Sequence, residues 1–90
     1  MSISIKIVSN NEYEVTVKSK TVTTHLVTLS DEVHEKLTKE KVTKKELLDF
    51  SFKFLLDKEP NTSILSSFEL TVISRYFSDY EKSVKKRCSS

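Results

Sequence analysis

The side chains best equipped to move a proton, attack a carbonyl or hold a metal are two histidines, His25 and His34, and one cysteine, Cys88, in a chain of 90 residues. An imidazole titrates near neutral pH and a thiolate is a strong nucleophile, so either can drive catalysis once it has a partner. The spacing supplies none. Neither histidine has a second His or Cys at the hairpin or helical separation that a metal site needs, so each reads as a surface or helix-end imidazole. A single cysteine makes no internal disulfide and no cysteine-based zinc site, and it reads as a partly exposed thiol. Asp49, Lys53 and Asp57 recur every fourth residue, which makes a solvated ladder of ion pairs rather than an acid–base couple. The chain also has no glycine at all. That excludes a Gly-rich phosphate loop, a dinucleotide fingerprint, a Gly-x-Ser-x-Gly elbow and an EF-hand loop. The sequence therefore predicts no catalytic residue, no metal ligand and no cofactor.

Charge offers a different chemistry. The net charge of +2 is small, but residues 60–90 carry five basic residues against three acids, and the excess sits in Lys82, Lys85, Lys86 and Arg87. Cations in the last turns of a helix suit its macrodipole. The same group also forms a contact surface when aromatic area lies beside it. Arg75, Tyr76, Lys82, Lys85 and Lys86 are accordingly the expected partner-binding residues, facing a protein partner or a second copy of the chain.

The elements that must position these groups follow from periodicity. Ile3, Ile5 and Ile7 alternate with polar residues, as do Tyr13, Val15 and Val17, and Asn10-Asn11 between them suits a tight turn at positive φ. Residues 21–29 form a third strand with imperfect alternation. At Ser30 the period changes. Ser30 can cap a short helix bearing Val33 and Leu37, and Thr43-Lys44-Lys45-Glu46 is a capping box opening a helix over 44–58. On that helix Leu47, Leu48, Phe50, Phe52, Phe54, Leu55 and Leu56 leave only the Asp49, Lys53, Asp57 strip for water, the mark of a central helix. Pro60 ends it. Asn61 can cap a following turn, and Ser66 with Glu69, then Ser78 with Glu81, fit two further capping boxes.

The predicted fold is one α+β domain over 1–90, with an antiparallel three-stranded sheet at 2–8, 12–18 and 21–29 followed by helices at 31–39, 44–58, 67–76 and 79–87. No apolar run approaches the ~18–20 residues of a membrane span, and no basic-then-apolar leader is present. A reducing cytosol fits the lone cysteine. If Phe52, Leu56 or the outer side of Val22 and Leu26 stay uncovered, the patch invites a partner.

Two resemblances follow from these residues. Strand, helix and helix at 23–29, 30–39 and 43–58, with the second helix capped by a threonine, resemble the ribbon-helix-helix regulators. That resemblance implies a dimer whose paired strands read the DNA major groove, with Thr24, Leu26 and Thr28, or His25, Val27 and Leu29, towards the bases. Neither row holds a Lys or Arg, two strands precede the ribbon, and Glu40-Lys41-Val42 stands where a glycine is usual. A wider resemblance, over about residues 12–87, rests on Thr23-Thr24-His25-Leu26-Val27-Thr28-Leu29-Ser30, Glu46-Leu47-Leu48, Ser51-Phe52, Phe54-Leu55-Leu56, Glu59-Pro60-Asn61-Thr62-Ser63-Ile64-Leu65 and Val72-Ile73-Ser74-Arg75-Tyr76-Phe77. These look like a family of small bacterial proteins without an assigned activity. The resemblance implies a bacterial cytosolic protein and carries over no functional residues. The expected function is a non-catalytic protein-interaction module, with a DNA-binding regulator as the alternative.

Overall fold

Alternation builds the first half of the molecule. The computed structural model describes residues 2–89, in which β1 (Ser2–Ile7), β2 (Glu12–Lys18) and β3 (Val22–Thr28) form an antiparallel meander. Tyr13, Val15 and Val17 of β2 and His25 and Val27 of β3 turn to one face and are buried. The opposite face is mostly polar, with Lys6 across from Glu14 and Thr16 across from Thr24, and carries Val22 and Leu26 of β3. Side chains alternate across a strand, so one buried row fixes the register of the whole sheet.

The helices cover the apolar face. Ser30 caps α1 (Asp31–Thr38), its hydroxyl accepting from the Val33 N–H at 3.2 Å. The capping box of α2 (Lys44–Lys58) is complete: Thr43 Oγ1 accepts from the Glu46 N–H, and a Glu46 carboxylate oxygen accepts from the Thr43 N–H. Leu47, Leu48, Ser51, Phe52 and Leu55 of α2 face the core. Phe50, Phe54 and Leu56 pack at its margins, and Lys53 pairs with Asp49 at 2.9 Å in solvent. Phe52 is fully buried, which removes it from any exposed patch, while Val22 remains 59% exposed.

The predicted architecture is present, and one element differs from its reading. Residues 67–76 are not one helix: Ser67–Glu69 is a strand, β4, lying parallel to β3 in a four-stranded sheet of order β1-β2-β3-β4. The helix that follows, α3 (Val72–Tyr76), is a single turn longer than a bend. Ser66 and Glu69 match a capping box, but Phe68 and Leu70 also alternate with Ser67 and Glu69. The open edge of β3 selects the extended reading, because Leu26 N–H donates to Ser66 C=O at 2.8 Å and Leu70 N–H to Thr28 C=O at 3.0 Å. The last helix, α4 (Tyr80–Ser89), lies against α1, α2 and α3.

The glycine-free turns also differ from expectation. Asn10 and Asn11 are not at positive φ; among the described residues Lys39 and Glu40 are, at φ 53° and 60°. Such φ values are unfavourable for residues with a Cβ. Here Lys39 ends α1, its N–H bonding to Glu35 C=O at 2.7 Å, and the Thr38 hydroxyl accepts from the Glu40 N–H at 3.1 Å. These bonds stand in for the missing glycine. Asn61 does not cap its own turn either. It opens a 3-10 turn at Asn61–Ser63, and its amide instead donates back to Thr21 C=O at 2.8 Å and Thr23 Oγ1 at 3.0 Å.

Candidate functional site

After Pro60 the chain has to cross from the end of α2 to the edge of β3, and that crossing leaves a hollow. A cavity of about 350 Å³ opens between Leu55 of α2 and Glu59 just after its end, Ile64 and Leu65 of the crossing segment, Phe68 of β4, and Val72, Tyr76 and Phe77 at α3. Its lining is predominantly apolar with Glu59 as the one carboxylate, the composition of sites that take an apolar group and orient it with a few polar contacts. Leu65 is 49% exposed and Tyr76 71% exposed, so two large side chains meet water at this hollow.

The walls are held by specific contacts. His25 is not a surface imidazole, being only 2% exposed in β3. Its Nδ1 lies 2.7 Å from Leu65 C=O, a group that can only accept, so Nδ1 carries the proton. In the neutral ring Nε2 then accepts from the Thr23 hydroxyl at 2.8 Å, whose oxygen accepts from Asn61. The ring packs on Phe52, 5.4 Å between centroids, and Phe52 on Phe68 at 6.1 Å. This relay of three side chains ties both ends of the crossing segment to β3. A buried polar group unpaired here would cost about 1–3 kcal/mol, which is why the network is complete. His34 is half-buried, and Nε2 donates to Val42 C=O at 2.6 Å, bracing the α1–α2 connection.

On the far wall, Phe77 meets Phe54 edge-on at 5.9 Å, and Lys58 Nζ stands 4.6 Å from the Phe54 ring centre while pairing with Asp79 at 3.6 Å. Tyr80 anchors α4 beneath them. Ser51 donates its one proton to Leu47 C=O at 2.7 Å, so the Tyr80 hydroxyl donates to Ser51 Oγ at 2.5 Å. Burial pushes the Tyr80 phenol up to about 12, with the nearby Glu81 charge adding to it.

Of the expected partner-binding residues, the structure brings Tyr76 alone into the lining of the cavity. Arg75 is exposed on the same short helix, one residue away. Lys82, Lys85 and Lys86 form an exposed row on the outward side of α4, opposite buried Tyr80 and Val84, and none makes an ion pair among the described residues. Arg87 leaves that row. It lines a second, charged hollow of about 440 Å³ with Ile5, Lys45, Glu46, Asp49, Phe50 and Lys53. There the Thr43 backbone N–H holds the Glu46 carboxyl below its usual value. The residues that sequence reasoning missed are Leu65, Phe68 and Glu59, which belong to the cavity; the alternation of Phe68 with its neighbours was the available signal.

Among the described residues no three His, Cys, Asp or Glu side chains converge to hold a metal, and no helix is long and apolar enough to cross a membrane. The ribbon-helix-helix layout needs a free strand before its two helices, whereas β3 is bonded to β2 on one edge and to β4 on the other. What fold and site define together is a two-layer α+β domain with an apolar cavity at one sheet edge. Compared with known proteins, the chain matches no family model, no curated protein and no solved structure.

Proposed function

We propose that this chain is a non-catalytic protein-interaction module of the bacterial cytosol, whose partner docks on the side of the molecule formed by α3 and α4. An apolar side chain of the partner enters the cavity beside Tyr76, and acidic groups elsewhere on the partner face Arg75, Lys82, Lys85 and Lys86. The single observation that supports the reading most is Tyr76, a large aromatic side chain 71% exposed at the rim of an apolar hollow. Rigid aromatic side chains with a polar tip are the commonest anchors of protein interfaces, and cations around them steer association. A single half-buried cysteine, Cys88, with no second thiol to pair with, accords with a reducing compartment.

The test is a photocrosslinking residue placed at Arg75, with Thr24 on the opposite sheet face as control, in the cells that make the protein. A discrete adduct is expected from position 75 alone, and it should vanish when Lys82, Lys85 and Lys86 are all changed to Glu. Equal adducts from both positions, or an adduct indifferent to the charge reversal, would overturn the reading.

A further inference from the structure

Half of the backbone of β4 is unused. Ser67, Phe68 and Glu69 are in register with Leu26, Val27 and Thr28, and the flanking bonds are Leu26 N–H to Ser66 C=O and Leu70 N–H to Thr28 C=O. In a parallel pair every second residue bonds to a given neighbour. Ser66, Phe68 and Leu70 therefore direct their peptide groups at β3, while Ser67 and Glu69 direct theirs at the outer edge. Both are exposed, and no partner is found for their outward N–H and C=O groups among the described residues. The Phe68 side chain, between them, forms part of the cavity wall. An open strand edge and an apolar hollow thus share one three-residue strand.

We propose that this edge is a strand-addition site. An extended peptide segment pairs with the outer side of β4 and sets one large apolar side chain into the cavity. The inference rests on the interaction-module reading and specifies the shape of what binds. Backbone pairing supplies affinity without regard to sequence, and a pocket for every second side chain supplies selectivity. The volume, about 350 Å³, lies at the small end of the ~300–1,000 Å³ range of ligand pockets, which suits one anchoring side chain rather than a helix. Charge defines the neighbour of that anchor. Glu59 lines the cavity and makes no ion pair among the described residues. A Lys or Arg two residues from the anchor, on the same face of the added strand, reaches it. Because β4 is only three residues long and Glu69 keeps a charge at its rim, the edge admits a short segment while resisting sheet-to-sheet association.

The probes are two blocked heptapeptides, acetylated and amidated, Thr-Thr-Phe-Thr-Lys-Thr-Thr and its reverse order, titrated into the 15N-labelled chain. One of them should shift the amide signals of Ser67 and Glu69 and slow their hydrogen exchange by about tenfold or more, with the Tyr76 ring moving in parallel. Replacing the peptide Lys by Glu should weaken binding about fivefold to tenfold, the worth of one modest polar contact. N-methylating alternate peptide amides should abolish binding for one alternate set and spare the other, the signature of a strand ladder. Ser67→Pro removes an outward donor while sparing every bond to β3, and should weaken binding about tenfold. If that variant does not fold, Glu59→Lys should reverse the preference between the Lys and Glu peptides. Shifts at Tyr76 with Ser67 and Glu69 unmoved would overturn strand addition and leave the interaction reading standing. So would equal binding by both N-methylated sets. Silence of every amide at millimolar peptide also overturns it, while the crosslink at position 75 decides the wider reading separately. A dimer in sedimentation that shows the same amide shifts without peptide would put a second copy in place of the peptide and overturn the proposal.

Discussion

Replacing Tyr80 by Phe should make the protein less stable at neutral pH and more stable in strong alkali, with the two curves crossing near pH ~11. At neutral pH the variant loses the hydrogen bond from the phenol to Ser51, 2.5 Å long and buried, while keeping the ring that packs against Phe54 at 5.4 Å. One such bond is worth about 1 kcal/mol net, or a fall of about 4–8 °C in Tm for a domain of this size. In alkali the sign reverses. The phenol titrates at its ordinary 10.0 when the chain is unfolded and at about 12 when folded. Its contribution is fully present below the unfolded value and is lost as pH rises through the folded one. At pH 11 the loss is about 1 kcal/mol, and it approaches about 3 kcal/mol beyond pH 12. Phenylalanine does not titrate and loses nothing in that window. Urea unfolding of both proteins at intervals from pH 7 to about 11.5 reads the difference directly, because the lysines titrate alike in each. Stability curves that stay parallel across pH 10 to 11.5 would refute both the burial of this hydroxyl and its role in seating α4.

Three further outcomes follow from named contacts. Thr43→Ala breaks the capping box of α2 and should lower stability by about 1 kcal/mol, seen as a lower urea midpoint that Thr43→Ser largely restores. Asn61→Ala removes both bonds that tie the crossing segment to Thr21 and Thr23; a loss of about 1–3 kcal/mol is expected, with faster amide exchange in β4, and unchanged exchange there would count against the relay. Lys44 reaches Asp31 at 2.6 Å and, chiefly through that hydrogen bond, holds the Asp31 carboxyl below its ordinary value. The stability this brings is present above the ordinary carboxylate range and is lost as pH falls through the lowered folded value, so the gap between the native chain and Lys44→Met should narrow from about pH 5 to pH 2. A constant gap would show that the pair contributes nothing specific.

The sequence was most readable where one periodicity ruled alone. Ile3, Ile5 and Ile7 and then Tyr13, Val15 and Val17 admit only a strand, and Thr43 with Glu46 admits only a helix start, so β1, β2 and α2 stand where they were read. Residues 66–70 satisfied a capping box and an alternating strand at once. The choice was made by the free edge of β3, which no local pattern reveals. His25 was hidden for a related reason: its partner is the carbonyl of Leu65, 40 positions along the chain, and a buried imidazole looks the same in sequence as an exposed one. The expected contact residues split for want of the same information. Tyr76 reached a cavity whose other walls come from α2, the crossing segment and β4, while the lysines of α4 stayed on an outward face that helical spacing alone describes well.

The parallel pairing of β4 with β3 also sets a clock. Three residue pairs hold the strand in register, and the chain between the two strands contains all of α1 and α2, so closing this ladder costs more loop entropy than closing either hairpin of the meander, and only those three pairs of the strand's own backbone oppose its reopening. When it parts, the Phe68 wall leaves with it. Under the proposed strand addition, a guest's stay in the cavity would be tied to the local opening of three peptide units rather than to the far slower unfolding of the domain around it.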